Sequence, residues 1–454
     1  MSAALAAVLE ELRGQLTDGV LSTDPDLMAG HQVDLTGRFG GKAVALARPR
    51  DRAQVAAIVR ACDAHRLPLV PQGGNTGMVG GGVPRDGELV LSLARLDALG
   101  EVDLAAGQIV AGAGVSLERV QEAAKAAGFE FPLDFGARAS ATVGGVIATD
   151  AGGSLALAHG TMRRLVVGLE AVLADGTVVD RMSGLLKDNA GYDLPALLIG
   201  SEGTLGVVTA ARLQLVPAQP VRVAALFGVG SLAAGLELLA AIRRVPGLEV
   251  ADYLDSACMN LVVEGRQIAN PLGAEHPFYV LAQWAGDRDP LDQIAAAVAG
   301  LSPEPPVAVA DGAADRERLW AGRELINESI RERGVPHKLD IAVPLAALPE
   351  FDRRVRELLA AVPGAELYLY GHLGDGNVHV NVVGPDAEDE SVDAAVLRLA
   401  AELGGTISAE HGVGIAKTQF LSLCRSEEEI EAMRRLKAAL DPHGILAPGR
   451  ILGA

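Results

Sequence analysis

A chain of 454 residues is longer than one ordinary domain, and at roughly 150 residues per domain it divides into two or three. Hydrophobic residues make up 49% and charged residues 21%, the balance of a soluble globular protein. A net charge of −19 excludes a nucleic acid partner, which needs a basic face.

In chain order, Leu5, Val8, Leu9, Leu12 and Leu16 share one face of an N-terminal amphipathic helix, and no basic start of a signal peptide precedes them. Lys42 to Pro49 reads as a strand. Asp51 then caps a helix with Val55, Ile58, Val59 and Cys62 on one face, and "LPLVPQGG" follows as a second strand. Short strands are expected at 88–94, 101–104 and 108–114, then a helix from Ser116 to Gly128. Residues 163–216 are strand-rich, with a hairpin about Asp175-Gly176. Prolines in "LVPAQPVR" (215–222) mark a boundary, beyond which helices and strands alternate at longer spacing. Val223 to Leu236 is the longest charge-free apolar stretch. It falls short of the roughly 20 residues a bilayer requires, so no membrane span is expected. Cys62, Cys258 and Cys424 form no CxxC, which fits a reducing cytoplasm. The fold class is α+β in two domains.

Three stretches stand out in the first domain. "PQGGNTGMVGGG" (71–82) holds six glycines directly after a strand, so that backbone N–H groups can converge on a diphosphate. It is not GxGxxG, and a turn and strand follow it instead of a helix. Taken alone, the loop reads better as a flexible surface loop than as a phosphate site. "GARASATVGGVIATDAGG" (136–153) is small and apolar enough to lie flat against a planar ligand. "GYDLPALLIGSEGTLGVVTAARLQLVP" (191–217) puts Ser201, Glu202 and Gly203 before a strand. Three such stretches in one domain fit a threaded dinucleotide better than three idle loops.

The second domain offers a different chemistry. "GHLGDGNVHVNVV" (371–383) reads as a hairpin, Glu366–His372 and 378–383, that sets His372 across from His379. That spacing suits two imidazoles on one metal, although two histidines at a turn are by themselves more often hydrogen-bonded structure. His379, Asn381 and Val383 share a face. "TISAEHGVG" (406–414), a strand ending in Glu410 and His411, supplies a carboxylate; two histidines and a carboxylate with an open position make a catalytic site of the zinc or manganese type. "LWAGRELINESIRERG" (319–334) reads as one helix with Arg323 on its apolar stripe, where it needs an anion: an internal carboxylate or a ligand. Asn327 lies one turn further. "PHKLDIAVPL" alternates as a strand, with Lys338 and Asp340 opposite Leu339, Ile341 and Val343.

The three stretches, in this order, resemble the FAD-binding domain of the vanillyl-alcohol oxidase and PCMH superfamily, and the intact GHxGDGNxHxN and EHGxG motifs resemble its D-2-hydroxyacid dehydrogenase branch, from about Lys42 to the C-terminus. The resemblance implies a two-subdomain FAD-binding domain over 1–218, a substrate or cap domain with an antiparallel sheet over 219–418, and a segment 419–454 returning to the first. It implies that Pro71, Gln72, Gly73, Gly74, Asn75, Thr76 and Gly77 cradle the FAD diphosphate. Ser140, Gly144, Gly145, Thr149 and Gly152 would line the flavin, with Glu202, Gly203 and Val208 towards the adenosine and Asn377 near the cofactor. His372, His379 and Glu410 would hold a divalent metal, zinc first and manganese second, and contact substrate. His411 would be the general base. Arg323, Asn327, Lys338 and Asn381 would bind a D-2-hydroxy acid, D-2-hydroxyglutarate ahead of D-malate.

Two departures are visible: Val146 and Asp150 stand where many relatives carry asparagine. The first loop has no histidine, so non-covalent FAD is expected. An electron-transfer flavoprotein, quinone or cytochrome would accept the electrons, and a homodimer is compatible with the chain. D-lactate or glycolate dehydrogenase, the ether-lipid synthase branch, a flavin-free metal hydrolase and a non-catalytic flavin-binding subunit are the alternative readings.

Overall fold

A computed structural model describes residues 3–12, 14–16, 19–386 and 389–453 and divides the chain into two compact units. The first comprises Met1–Gly153, Gly160–Ala218 and Glu410–Ala454; the second comprises Ser154–His159 and Gln219–Ala409. Among the described residues no helix is long and apolar enough to cross a membrane.

Among the described residues the first unit holds a two-stranded sheet, which pairs Phe129–Glu130 with Val216–Pro217, and two four-stranded sheets with separate cores. In one, Ala45–Ala47, Leu89–Ser92 and Leu69–Gln72 run parallel, and Leu21–Ser22 adds an antiparallel edge. Helix Arg52–His65 buries Val55, Ile58, Val59 and Cys62 against it, because Asp51 accepts from the Gln54 N–H and starts the helix in that phase. Leu5, Val8 and Leu12 of helix Ala3–Leu12 join the same core. The other sheet, Gln108–Gly112, Val207–Gln214, Val166–Val172 and Val178–Arg181, is antiparallel. Its hairpin turns at Asp175-Gly176, where Gly176 takes a φ of +79°.

The unit is finished by residues far apart in sequence. The Leu69 N–H donates to the Ile445 carbonyl and the Ala447 N–H to the Leu69 carbonyl, both at 2.8 Å. The buried Arg450 guanidinium pairs with Glu88.

The second unit is built on a seven-stranded, wholly antiparallel sheet. Its order is Val307–Ala310, Val221–Val229, Phe278–Gly286, Leu248–Asp255, Glu366–His372, Asn377–Val383, His337–Ala342.

Four elements differ from the sequence reading. The strand expected over Lys42–Pro49 contracts to Ala45–Ala47. Residues 101–104 form no strand, because the Asp103 carboxylate captures the Ala105 and Ala106 N–H groups and turns the chain. The helix read over 319–334 is two, Ala313–Glu324 and Ile326–Arg333, joined at Leu325 where ψ is −7°. The stretch before Glu410 makes only a bridge, Ala342 with Thr406, since the Thr406 hydroxyl bonds Ser408 and the Ala409 N–H turns to the Asp340 carboxylate.

Candidate active site

The glycine loop of the first unit presents a row of donors. Among the described residues, none of the N–H groups of Gly73, Gly74, Asn75, Thr76 and Gly77 donates to a backbone carbonyl. Five consecutive unengaged N–H groups are what a diphosphate requires and what a surface loop without a ligand would leave to water. Gln72, only 2% exposed, fixes the loop's base: its amide donates to the carbonyls of His31 and Gly82 and its oxygen meets His31 Nδ1. Asn75 holds the opposite side through Val33 at 2.8 Å. The Gln72 side chain therefore shapes the loop, while the loop's backbone N–H groups stay unengaged.

The second stretch contains a short helix, Val143–Ala148, that its glycines and valines did not announce. Its first two N–H groups bond the Val115 and Ala113 carbonyls. Thr142, which precedes it, is buried with its hydroxyl unpartnered. The glycine loop packs tightly here: a Cβ on Gly74 would overlap the Ser140 carbonyl and one on Gly73 the Thr142 hydroxyl. Thr149 bonds back to the Gly145 carbonyl and closes the helix. Asp150 binds the Arg163 N–H and guanidinium.

Gly74→Ala should therefore displace the loop from this stretch. The expected result is a melting temperature lowered by the equivalent of about 1–3 kcal/mol of overpacking, with most bound FAD lost, read from the visible absorbance of the purified protein. Full flavin content would show that the loop can give way.

The third stretch has a structural task of its own. The Glu202 carboxylate accepts from the Val413 and Gly414 N–H groups at 2.7 and 2.8 Å, so it anchors the turn after Glu410 and His411. Burial pushes this carboxyl up, opposed by those two bonds and by Lys417. Glu410 in turn accepts from the Gly153 N–H at 3.3 Å, at the end of the second stretch. His411 Nε2 lies 3.7 Å from Glu410 Oε1. Gly203 packs on Pro71, and Val208 belongs to the core of the antiparallel sheet.

In the second unit the strands of the histidine hairpin run from Glu366 to His372 and from Asn377 to Val383, but the register corrects one expectation. His372 faces Asn377 and His379 faces Tyr370, so the histidines are diagonal neighbours on one face, not direct partners. Their ring centroids are still 5.4 Å apart. Asp340 stands directly opposite His379 on the next strand, its carboxylate 3.7 Å from Nδ1. Imidazole and carboxylate are close enough to share one ion. Asp340 also accepts from Asn377 Nδ2 at 2.6 Å and from the Ala409 N–H at 3.1 Å, so Glu410 is the very next residue after one tied to this carboxylate.

The cations lie on the same unit. Arg323 Nε donates to Asp252 at 3.0 Å and its guanidinium sits 4.5 Å from the Tyr370 ring centroid, which leaves the two terminal nitrogens for an anion. Asp252, 1% exposed, also accepts from His372 Nδ1 at 2.7 Å. Burial pushes its carboxyl up, but His372 and Arg323 hold it below the usual range. Lys338 Nζ donates to Asn327 Oδ1 at 2.7 Å, and the Tyr370 hydroxyl donates to the same oxygen at 2.7 Å. Burial, with Arg331 and Arg323, pulls the Lys338 ammonium down to about 8. Among the described residues it pairs with no carboxylate. Asn381, fully buried opposite Lys338, and Asn377 each keep a side-chain oxygen without a partner.

Sequence reasoning missed Thr142, Asp252 and Tyr370 and passed over Asp340. Alternation had already placed Asp340 beside Lys338. An aspartate inside the apolar run Val250–Leu254 was the signal for Asp252.

Residues 218–451 match the family described as FAD linked oxidases, C-terminal domain, and residues 43–181 match the FAD binding domain. The chain is 39% identical over 457 residues to the mitochondrial D-2-hydroxyglutarate dehydrogenase of Bos taurus, covering 96% of this chain and 82% of that one. It is 37% identical over 446 residues to the D-2-hydroxyglutarate dehydrogenase of Xanthomonas citri pv. viticola, covering 95% and 94%. The solved structure of p-cresol methylhydroxylase with substrate bound superposes with a TM-score of 0.77 at 16% identity, over 100% of this chain and 97% of that one, a likeness of fold.

Proposed function

The chain belongs to the FAD-linked oxidases and is an FAD-dependent oxidoreductase, and from that premise we propose that it oxidises a D-2-hydroxy dicarboxylate, D-2-hydroxyglutarate ahead of D-malate. The observation that carries this choice is Lys338, a desolvated ammonium held by an amide alone. Such a cation is unfavourable unless an anion arrives, and one arginine already suffices for a single carboxylate.

In this reading Arg323 grips the α-carboxylate through its terminal nitrogens, and Lys338 meets the distal carboxylate. Asn327 and Tyr370 aim the ammonium, and the open oxygens of Asn377 and Asn381 take donors from substrate or cofactor. His372, His379 and Glu410 are the proposed ligands of a divalent ion, zinc or manganese, which supplies Lewis-acid polarisation of the hydroxyl. His411 receives the hydroxyl proton. Bound FAD supplies the acceptor for the hydride that leaves the α-carbon.

The test is anaerobic mixing of the purified protein with D- and L-2-hydroxy acids while following the loss of flavin colour. D-2-hydroxyglutarate should reduce fastest, and an outright preference for D-lactate would overturn the substrate choice. The FAD should come away intact with acid or heat, because the "PQGGNTG" loop has no histidine for attachment; colour retained on the precipitated chain would refute this.

A pH dependence follows. The folded Lys338 value of about 8 lies below the 10.5 of a free lysine, so the charged form is present below about 8 and lost above it. Between those values the unfolded chain binds the extra proton, so this group's contribution to stability rises with pH across the window. Substrate recognition runs the other way: kcat/KM for the dicarboxylate should fall above that point and level off about ten- to a hundredfold lower, the value of the lost charge. D-lactate should show no such limb.

A further inference from the structure

The proposed reaction gives Asp252 no contact with substrate, yet this charged group is buried, 1% exposed, beside the site. It lies in strand Leu248–Asp255, directly opposite His372. Each of its oxygens has its own partner: Oδ1 takes His372 Nδ1–H at 2.7 Å, and Oδ2 takes Arg323 Nε–H at 3.0 Å. One carboxylate is thus shared by a histidine of the hairpin and by the arginine proposed to grip substrate.

We propose that Asp252 is a positioning residue that sets the tautomer of His372 and the direction of the Arg323 fork together. A ring nitrogen held against a carboxylate carries the proton in the neutral imidazole, so the lone pair is placed on Nε2. A guanidinium held at Nε and laid on the Tyr370 ring presents both terminal nitrogens away from its anchor. The metal and substrate arms of this inference rest on the proposed roles of His372 and Arg323; the tautomer arm does not.

Asp252→Asn separates these effects. Asparagine keeps the shape but offers one acceptor oxygen and one NH2 donor to two N–H donors, so either His372 changes tautomer to accept at Nδ1 or one contact breaks. The tautomer is read from 15N spectra of the metal-free holoflavoprotein at a pH where imidazoles are neutral, with His372→Gln identifying the signal by its disappearance. Wild type should show His372 protonated on Nδ1, and the variant should move that proton wholly or partly to Nε2. Titration with zinc alone should weaken by about 10–100-fold. KM for D-2-hydroxyglutarate should rise about tenfold, with FAD content unchanged.

A wild-type His372 protonated on Nε2 overturns the proposal, as does a variant with wild-type tautomer, zinc affinity and KM. If the tautomer switches while wild type itself takes up no zinc, the ligand assignment of His372 fails and the positioning role stands. Should Asp252→Asn not fold, Asp252→Glu keeps the charge and must retain the Nδ1–H tautomer; its loss there overturns the proposal.

Discussion

His379→Ala should leave FAD in place and lower turnover by about a thousandfold or more. His379 is 6% exposed, with its ring 5.0 Å from Tyr370 and beside the Asp340 carboxylate. If this imidazole holds the divalent ion, its loss removes a Lewis acid worth several kcal/mol, and about 4 kcal/mol is roughly a thousandfold. His379→Gln, which fills more of the space, separates loss of the ligand from the cavity that alanine leaves. Metal content should fall to background in both, and His372→Ala/His379→Ala should be little worse than either single change, because both remove one site. Wild-type turnover after exhaustive chelation with verified removal of metal would sink the metal reading. Flavin lost together with the metal would assign the hairpin a structural role.

Lys338→Met should lower kcat/KM for D-2-hydroxyglutarate by about ten- to a hundredfold, the value of a charge-assisted contact worth roughly 1.5–3 kcal/mol. D-lactate, with no second carboxylate, should be turned over almost as before. Methionine keeps the apolar stem and removes the desolvated charge, so stability should hold or rise. The Asn327 oxygen retains the Tyr370 hydroxyl as a partner, so it is not orphaned. Equal losses on both substrates would mean that Lys338 supports the site generally and reads no distal carboxylate. The alkaline limb on the dicarboxylate should vanish in this variant.

Periodicity made the hairpin strands legible nearly to the residue, yet not their pairing. Alternation shows which side chains share a face; register is set by the turn. Reading "LGDGN" as the connection leaves Asn377 out, whereas it pairs with His372 and shifts every partner along. The helix Val143–Ala148 was illegible for a different reason. Glycine and valine are poor helix formers, and the packing of Val143, Val146 and Ile147 into the core overrides their preference. Arg323 left two readings open, and the structure realises the internal one at Nε without closing the other. The glycine loop was legible in kind, but the engagement of Gln72 with His31 joins positions 41 apart, a distance no local pattern reaches.

Glu88 and Arg450 are separated by 362 residues, and strand Leu69–Gln72 is flanked by Ile445 to Ala447. On a ribosome adding roughly 5–20 residues per second, the strand and its last neighbour emerge about 20–70 s apart. Residues 219–409 are all made within that interval, so the second unit's sheet can form while the first still lacks its closing segment. A premature stop between Pro442 and Arg450 would remove none of the proposed substrate, metal or flavin contacts. It would nonetheless release a chain whose flavin domain has an open flank, exposed to chaperones and proteases from the moment of termination.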